Sequence, residues 1–150
     1  MLALRFRAAD VRDVDRLMRL TADSDAPDWT SGTWQQVIAS AAADERLVVV
    51  AEREDEPIGF GVIGLAGDEA EIESLAVDPA WRRRGVAVRV CGAMMDWARG
   101  RSAATVFLEV RASNAGAQAL YRRLGFEQRG SRRGYYRDPV EDAVIMAREL

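Results

Sequence analysis

Two residue types are missing from this chain. It has no histidine and no lysine, so all 21 of its basic residues are arginine. That excludes Ser-His-Asp and Cys-His catalysis, a phosphate-loop lysine, Schiff-base chemistry and histidine metal sites. The single cysteine, Cys91, can form no internal disulfide or thiolate cluster, so no metal is expected. Lacking a histidine partner, Cys91 reads as a small helix residue and not as a nucleophile. No apolar run reaches the roughly 18 residues of a membrane span, and no basic-then-apolar leader opens the chain. The expectation is a cytoplasmic protein with no membrane partner. Carboxylates, tyrosines, serine and threonine hydroxyls, arginines and backbone N–H groups remain to do any chemistry.

What is present suits one globular domain spanning 1–150: 150 residues, 49% of them hydrophobic and 30% charged, enough for a core and too apolar for disorder. The net charge of −3 hides an asymmetry. Residues 1–75 hold 7 arginines against 16 carboxylates, and residues 76–150 hold 14 against 8. Such a dipolar chain could hold an anion with one half and attract a cation with the other, or the surface charge could simply be uneven.

Alternation of Leu2, Leu4 and Phe6 predicts a strand over Leu2–Arg7. Asp10 begins a helix carrying Val11, Val14, Leu17 and Met18, and a second follows the loop 21–30 with Trp34, Val37, Ile38 and Ala41 on one side. Leu47–Ala51, Ile58–Leu65 and Glu69–Val77 read as an antiparallel meander, with a hairpin across Asp55-Glu56-Pro57. A helix over about 85–99, a strand Thr105–Arg111, a helix over about 115–124 ending at Gly125, and strands Phe126–Tyr136 and Ala143–Glu149 complete the order. The strand–helix–strand unit from 70 to 111 requires one parallel pair. The fold class is α+β: a mixed, mostly antiparallel sheet of about seven strands flanked by four helices.

Two segments carry chemistry. In LAVDPAWRRRGVA (75–87), a strand runs into R-x-x-G-x-A at a helix start, where Gly85 and Ala87 leave the backbone N–H groups open to a phosphate beside arginine charge. The same pattern also makes a solvated basic turn. In LEVRASNAGAQALYRRLGF (108–126), Val106, Leu108 and Val110 share one face of a strand, leaving Phe107, Glu109 and Arg111 on the other. A carboxylate buried there serves as a general base near neutrality; on a wet face it pairs with Arg111 or another arginine. Asn114 caps the next helix, and a capping asparagine can also bind an amide-bearing ligand. Tyr121 falls on that helix's apolar stripe, as a core residue or as a proton donor at the sheet surface.

Taken together, R-x-x-G-x-A after a strand, then a strand, Ser-Asn and an A-L-Y-x-x-L-G-F helix end resemble the GNAT family of N-acetyltransferases. The likeness covers the chain in element order and is most specific over 72–146. LEVRASN, ALY, and RRGYY with EDAVIM at 132–146 are similar to the ribosomal-protein alanine N-acetyltransferases (RimI-like enzymes), with PDWTSGTW at 27–34 a looser match. The resemblance implies a coenzyme A pyrophosphate on Arg82, Arg83, Arg84, Gly85, Val86 and Ala87, with Ala87 standing where the family more often has glycine. Leu75, Ala76 and Val77 would pair with the pantetheine arm of acetyl-CoA, and Asn114 and Tyr121 would touch it. Glu109 would be the base and Tyr121 the acid, with Glu71 and Glu73 as reserve bases. Trp29, Glu73, Ser74, Tyr135 and Tyr136 would line the acceptor groove.

The implied reaction is direct acetyl transfer to an amine, with the N-terminal α-amino group of a protein (a ribosomal protein among the candidates) as acceptor. Because the acceptor brings the nucleophile, a chain without histidine or lysine can catalyse it. A small amine such as a polyamine or an aminoglycoside is the rival acceptor, and a non-catalytic CoA-binding regulatory domain is the rival class. Nucleic acid is not expected as a partner of an acidic chain without lysine. A monomer or weak homodimer is expected.

Overall fold

The computed structural model describes residues 2–150. Its strands are β1 (Arg5–Ala8), β2 (Arg46–Arg53), β3 (Glu56–Ala66), β4 (Glu69–Val77), β5 (Thr105–Arg111), β6 (Glu127–Tyr136) and β7 (Glu141–Glu149). The helices are α1 (Val14–Ala22), α2 (Ser31–Ala41), α3 (Val86–Gly100) and α4 (Ala115–Arg123), with short 3-10 turns at Val11–Asp13 and Pro79–Trp81. One sheet runs β1-β2-β3-β4-β5-β7-β6. Every neighbouring pair is antiparallel except β4 and β5, the pair joined through α3. The mixed, mostly antiparallel seven-stranded sheet with four helices is the architecture expected.

Two apolar layers sandwich the sheet. On one face α3 lays Val90, Cys91, Met94 and Ala98, each fully buried, against Ile63, Val106, Leu108 and Met146. On the other, α1 and α2 press Leu17, Leu20 and Trp34 onto Val48, Val50, Phe60 and Val62. Fully burying a side chain of this size contributes about 1.5–3 kcal/mol. β3 is an interior strand, and its residues from Pro57 to Gly64 are buried. Cys91 is a packing residue, and burial pushes its thiol up to about 12, away from nucleophilic use.

The first helix is held at its start by a capping box, and Val11, expected on its apolar stripe, is instead exposed in the 3-10 turn before it. Oδ1 of Asp10 accepts from the Arg12 N–H at 2.9 Å, and the Asp10 N–H donates to Asp13 at 2.9 Å. Asp13 is itself buried, and the Arg7 guanidinium donates to both its oxygens at 2.8 Å and to Glu52 at 3.0 Å. That triad ties β1, the helix start and β2 together.

The hairpin between β2 and β3 is tighter than Asp55-Glu56-Pro57 suggests. It turns on Glu54 and Asp55, both at positive φ (50° and 65°), the geometry of a primed two-residue turn. Pro57 belongs to the strand, opposite Glu52 where the β2–β3 register shifts, so its missing N–H costs little pairing. The first strand also begins later: Leu2 and Leu4 pack against the core without joining the sheet.

The feature that shapes the site is the β4–β5 seam. Only Glu69–Glu71 pair with Thr105–Phe107, while β4 runs on to Val77 and β5 to Arg111. The β3–β4 register slips between Val62↔Ser74 and Ile63↔Ile72, leaving Glu73 as an extra residue. Such a bulge bends its strand, and past it the β5-side edge of β4 is unpaired.

Candidate active site

Beyond the bulge, Leu75, Ala76 and Val77 pair on one side with Gly61, Phe60 and Gly59 and on the other with no strand. The chain then turns through Pro79–Trp81 into α3. Gly85 caps that helix at φ +80°, with no side-chain cap and nothing within 4 Å of where a Cβ would sit. The first N–H groups of a 15-residue helix are therefore open to an anion. Of the three arginines, only two are free to help. Arg82 is spent structurally, donating to the carbonyls of Val77 at 3.2 Å and Asp23 at 2.7 Å. Arg84 lies over the Trp81 ring at 5.0 Å, as does Arg53 at 4.8 Å, and Arg83 is exposed.

On the α1/α2 face of the sheet, a cleft of about 270 Å³ opens across the seam, lined by Glu71, Glu73, Glu109, Phe107, Gly64 and Arg132 among others. The β5 alternation places Glu109 there: Val106, Leu108 and Val110 are buried against the helices and Glu109 points away. Each carboxylate has a different partner. Glu73 is pinned by the Arg46 Nε at 2.9 Å, over Gly64, where a Cβ would stand 2.6 Å from its oxygen. Glu109 lies 2.9 Å from the Arg132 Nε, so of the two readings of Glu109 the paired one describes this state, with Arg132 and not Arg111. Arg111 instead bonds Glu141 at 3.3 Å and stacks on Tyr136 at 4.6 Å. Glu71 makes no ion pair among the described residues. Desolvation, then the charges of Glu73 and Glu109, hold its carboxyl above the usual range.

All three tyrosines of the chain gather near this point. Interaction with the Glu109 carboxylate raises the Tyr135 phenol. Burial, then the Glu109 charge, pushes Tyr136 up to about 12. Tyr121 lies on the opposite face, in the α3 layer, with its ring 5.7 Å from that of Phe126. Burial holds its hydroxyl protonated, well above a phenol's ordinary pKa. Glu109 and Tyr121 thus sit on different sides of the sheet.

Asn114 caps α4, its Oδ1 accepting from the Ala117 N–H at 3.0 Å, while its Nδ2 donates to Asp25 at 2.8 Å and ties α4 to the α1–α2 loop. Trp29 packs edge-on to Trp34 at 4.9 Å. Ser74 is buried, and its Oγ, like Trp34 Nε1, has no hydrogen-bond partner among the described residues. Val86 is buried and Ala87 half-buried at the foot of α3. Sequence reasoning missed Arg46 and Arg132 as neighbours of the carboxylates. Arg132 stood within the RRGYY stretch, but its pairing with Glu109 depends on the registers of β5, β7 and β6 together.

Comparison with known proteins shows the family. The model of the acetyltransferase (GNAT) family matches residues 11–126. The [ribosomal protein bS18]-alanine N-acetyltransferase of Escherichia coli K12 is 37% identical over 115 residues, covering 75% of this chain and 78% of that one. An uncharacterised Mycobacterium leprae protein is 37% identical over 144 residues, 91% of this chain, and the chain spans only 38% of that relative's length. The crystal structure of the Escherichia coli ribosomal-protein-S18-alanine N-acetyltransferase superposes with a TM-score of 0.86 at 31% identity, covering 99% of this chain and 94% of that one. An open edge on β4, an uncapped α3 start and a carboxylate cleft across the same seam are thus found in a chain that belongs to the GNAT family of N-acetyltransferases.

Proposed function

We propose that this protein transfers the acetyl group of acetyl-CoA to the α-amino group at a protein N-terminus, the reaction named for its bS18-alanine relatives. The observation that carries this reading is the seam: an unpaired strand edge leads from an open helix start to a cleft of carboxylates. The cofactor fits the residues present, since Gly85 leaves its Cβ space empty and the α3 N–H groups lack a side-chain cap. The α3 start with Arg83 and Arg84 would hold the pyrophosphate, the Leu75–Val77 edge would take the pantetheine arm, and Asn114 would add a hydrogen bond. When bound, acetyl-CoA supplies a thioester-activated acetyl group.

The chain's own residues then move protons. An α-amino group with a reference pKa of about 7.7–8.0 needs only modest help to become a nucleophile. Glu109 accepts its proton, and Glu71, the carboxylate without a salt bridge, attracts the incoming ammonium. N–H groups at the β4 edge steady the developing negative charge. Tyr121, kept protonated by burial, donates to the leaving thiolate. Tyr135 and Tyr136 form the acceptor-side wall.

The test offers acetyl-CoA with a short Ala-starting peptide, the same peptide N-terminally blocked, a polyamine and an aminoglycoside, following thiol release and product mass. Transfer to the free peptide N-terminus is expected. Transfer confined to the small amines would replace this acceptor, and tight CoA binding without transfer to any amine would reject the assignment of roles.

A further inference from the structure

The salt bridge on Glu109 is unlike the others around the cleft. Arg46 is fixed by Glu73 and Ser40, and Arg111 by Glu141 and by the carbonyls of Arg137 and Pro139. Among the described residues Arg132 has no partner that fixes it further: its Nε meets Glu109 as an ion pair at 2.9 Å and its guanidinium rests over the Tyr135 ring at 5.6 Å. It reaches inward from β6, the edge strand, where pairing with β7 breaks immediately after it. Its side chain is 58% exposed, against 18% for Glu109. A cation lightly held from the solvent side therefore covers a carboxylate at the floor of the cleft.

We propose that Arg132 is a stand-in for the acceptor's ammonium: it occupies the cation position at Glu109 in the free enzyme and is exchanged for the amine when an acceptor enters. The inference rests on the reading of Glu109 as the group that receives the acceptor's proton. Exchange keeps the cleft's charge nearly constant, so the half-buried carboxylate is never left unpaired, and it selects against uncharged acceptors, which cannot replace a cation. Arginine suits the task because its guanidinium does not lose its proton under working conditions. It can rest beside an acyl donor without becoming an acceptor itself.

A half-exposed ion pair of this kind biases an equilibrium by a factor of about 2–5, and the apparent acceptor affinity is weakened by that fraction. Arg132→Met is therefore expected to lower the acceptor KM about 2- to 5-fold, with kcat moving less, while Arg132→Lys keeps a KM near the wild-type value. A KM unchanged or raised in Arg132→Met overturns the proposal. A second measurement needs no turnover. In the wild-type protein the Arg132 Nε–H resonance, identified by its loss in Arg132→Met, should move with alaninamide toward its position in Glu109→Gln. N-Acetylalaninamide should leave it in place. A resonance indifferent to alaninamide overturns the exchange. A resonance that moves in a protein that acetylates no peptide rejects the N-terminal reading and leaves the exchange standing.

Discussion

The Arg7 triad gives the most quantitative consequence of the fold. Arg7 donates three charge-assisted hydrogen bonds, two to Asp13 and one to Glu52, and both acids are at most 6% exposed. Arg7→Met fills similar space but strands the two carboxylates. Removing one partner of a buried pair costs about 3–5 kcal/mol. The lower end applies, about 3 kcal/mol, because a quarter of the Arg7 side chain is exposed and Arg5 stays 3.6 Å from Glu52. The sign with pH is fixed by Asp13, whose carboxyl is held below its ordinary value chiefly by Arg7. A depressed carboxylate contributes stability that is present above the unfolded pKa, near 3.9, and is lost as pH falls through the folded value. Without Arg7, burial of Asp13 is opposed mainly by the Asp10 N–H bond, and the group protonates at higher pH. The deficit should therefore be full at about pH 7 and smaller at about pH 4.5, read by urea unfolding of both proteins at each pH. A loss under about 1 kcal/mol, or a deficit equal at the two pH values, would refute the reasoning.

Tyr121→Phe and Glu109→Gln should each lower kcat by about 10²-fold or more with an Ala-starting peptide at saturating acetyl-CoA, and wild-type turnover in both would reject their roles. Gly85→Ala meets no atom but forces a side chain to φ +80°, so it should cost about 1–2 kcal/mol in unfolding and raise the KM for acetyl-CoA; an unchanged KM would remove the α3 start from the cofactor site. Because the Glu71 carboxyl is raised in the folded state, its effect on stability turns unfavourable as pH rises through the folded value. Glu71→Gln should therefore stabilise the protein more at high pH than at low, while raising the acceptor KM; thermal melts across pH and peptide kinetics check the two halves.

What the sequence disclosed is what periodicity encodes. The apolar stripes of α3 and α4 and the alternation at Val106, Leu108 and Val110 fixed the helices and the side of β5 on which Glu109 lies. Asn114 as a cap and the glycine at the head of α3 followed from local chemistry. The turn at Glu54–Asp55 was hidden because Pro57 looks like a breaker until a bulge is known to receive it. The partner of Glu109 was hidden for a different reason. Arg132 reaches it across β7, past Ala143 and Ile145, and that adjacency is the sum of two strand registers, which no single strand's pattern contains. The extra residue at Glu73 is likewise a property of how β4 meets β3.

The short seam between β4 and β5 also has a mechanical meaning. Strands β1 to β4 form one antiparallel plate in chain order, and β5 to β7 form another. Three rungs of parallel pairing join the plates directly. Amides on the open edge of β4, from 74 to 77, should exchange with solvent sooner than those of β3, which are paired on both sides. Any chain laid along that edge adds rungs where the sheet has none. For such a sheet, occupancy and stiffness rise together, and the protein should be most pliant along the line where its chemistry is done.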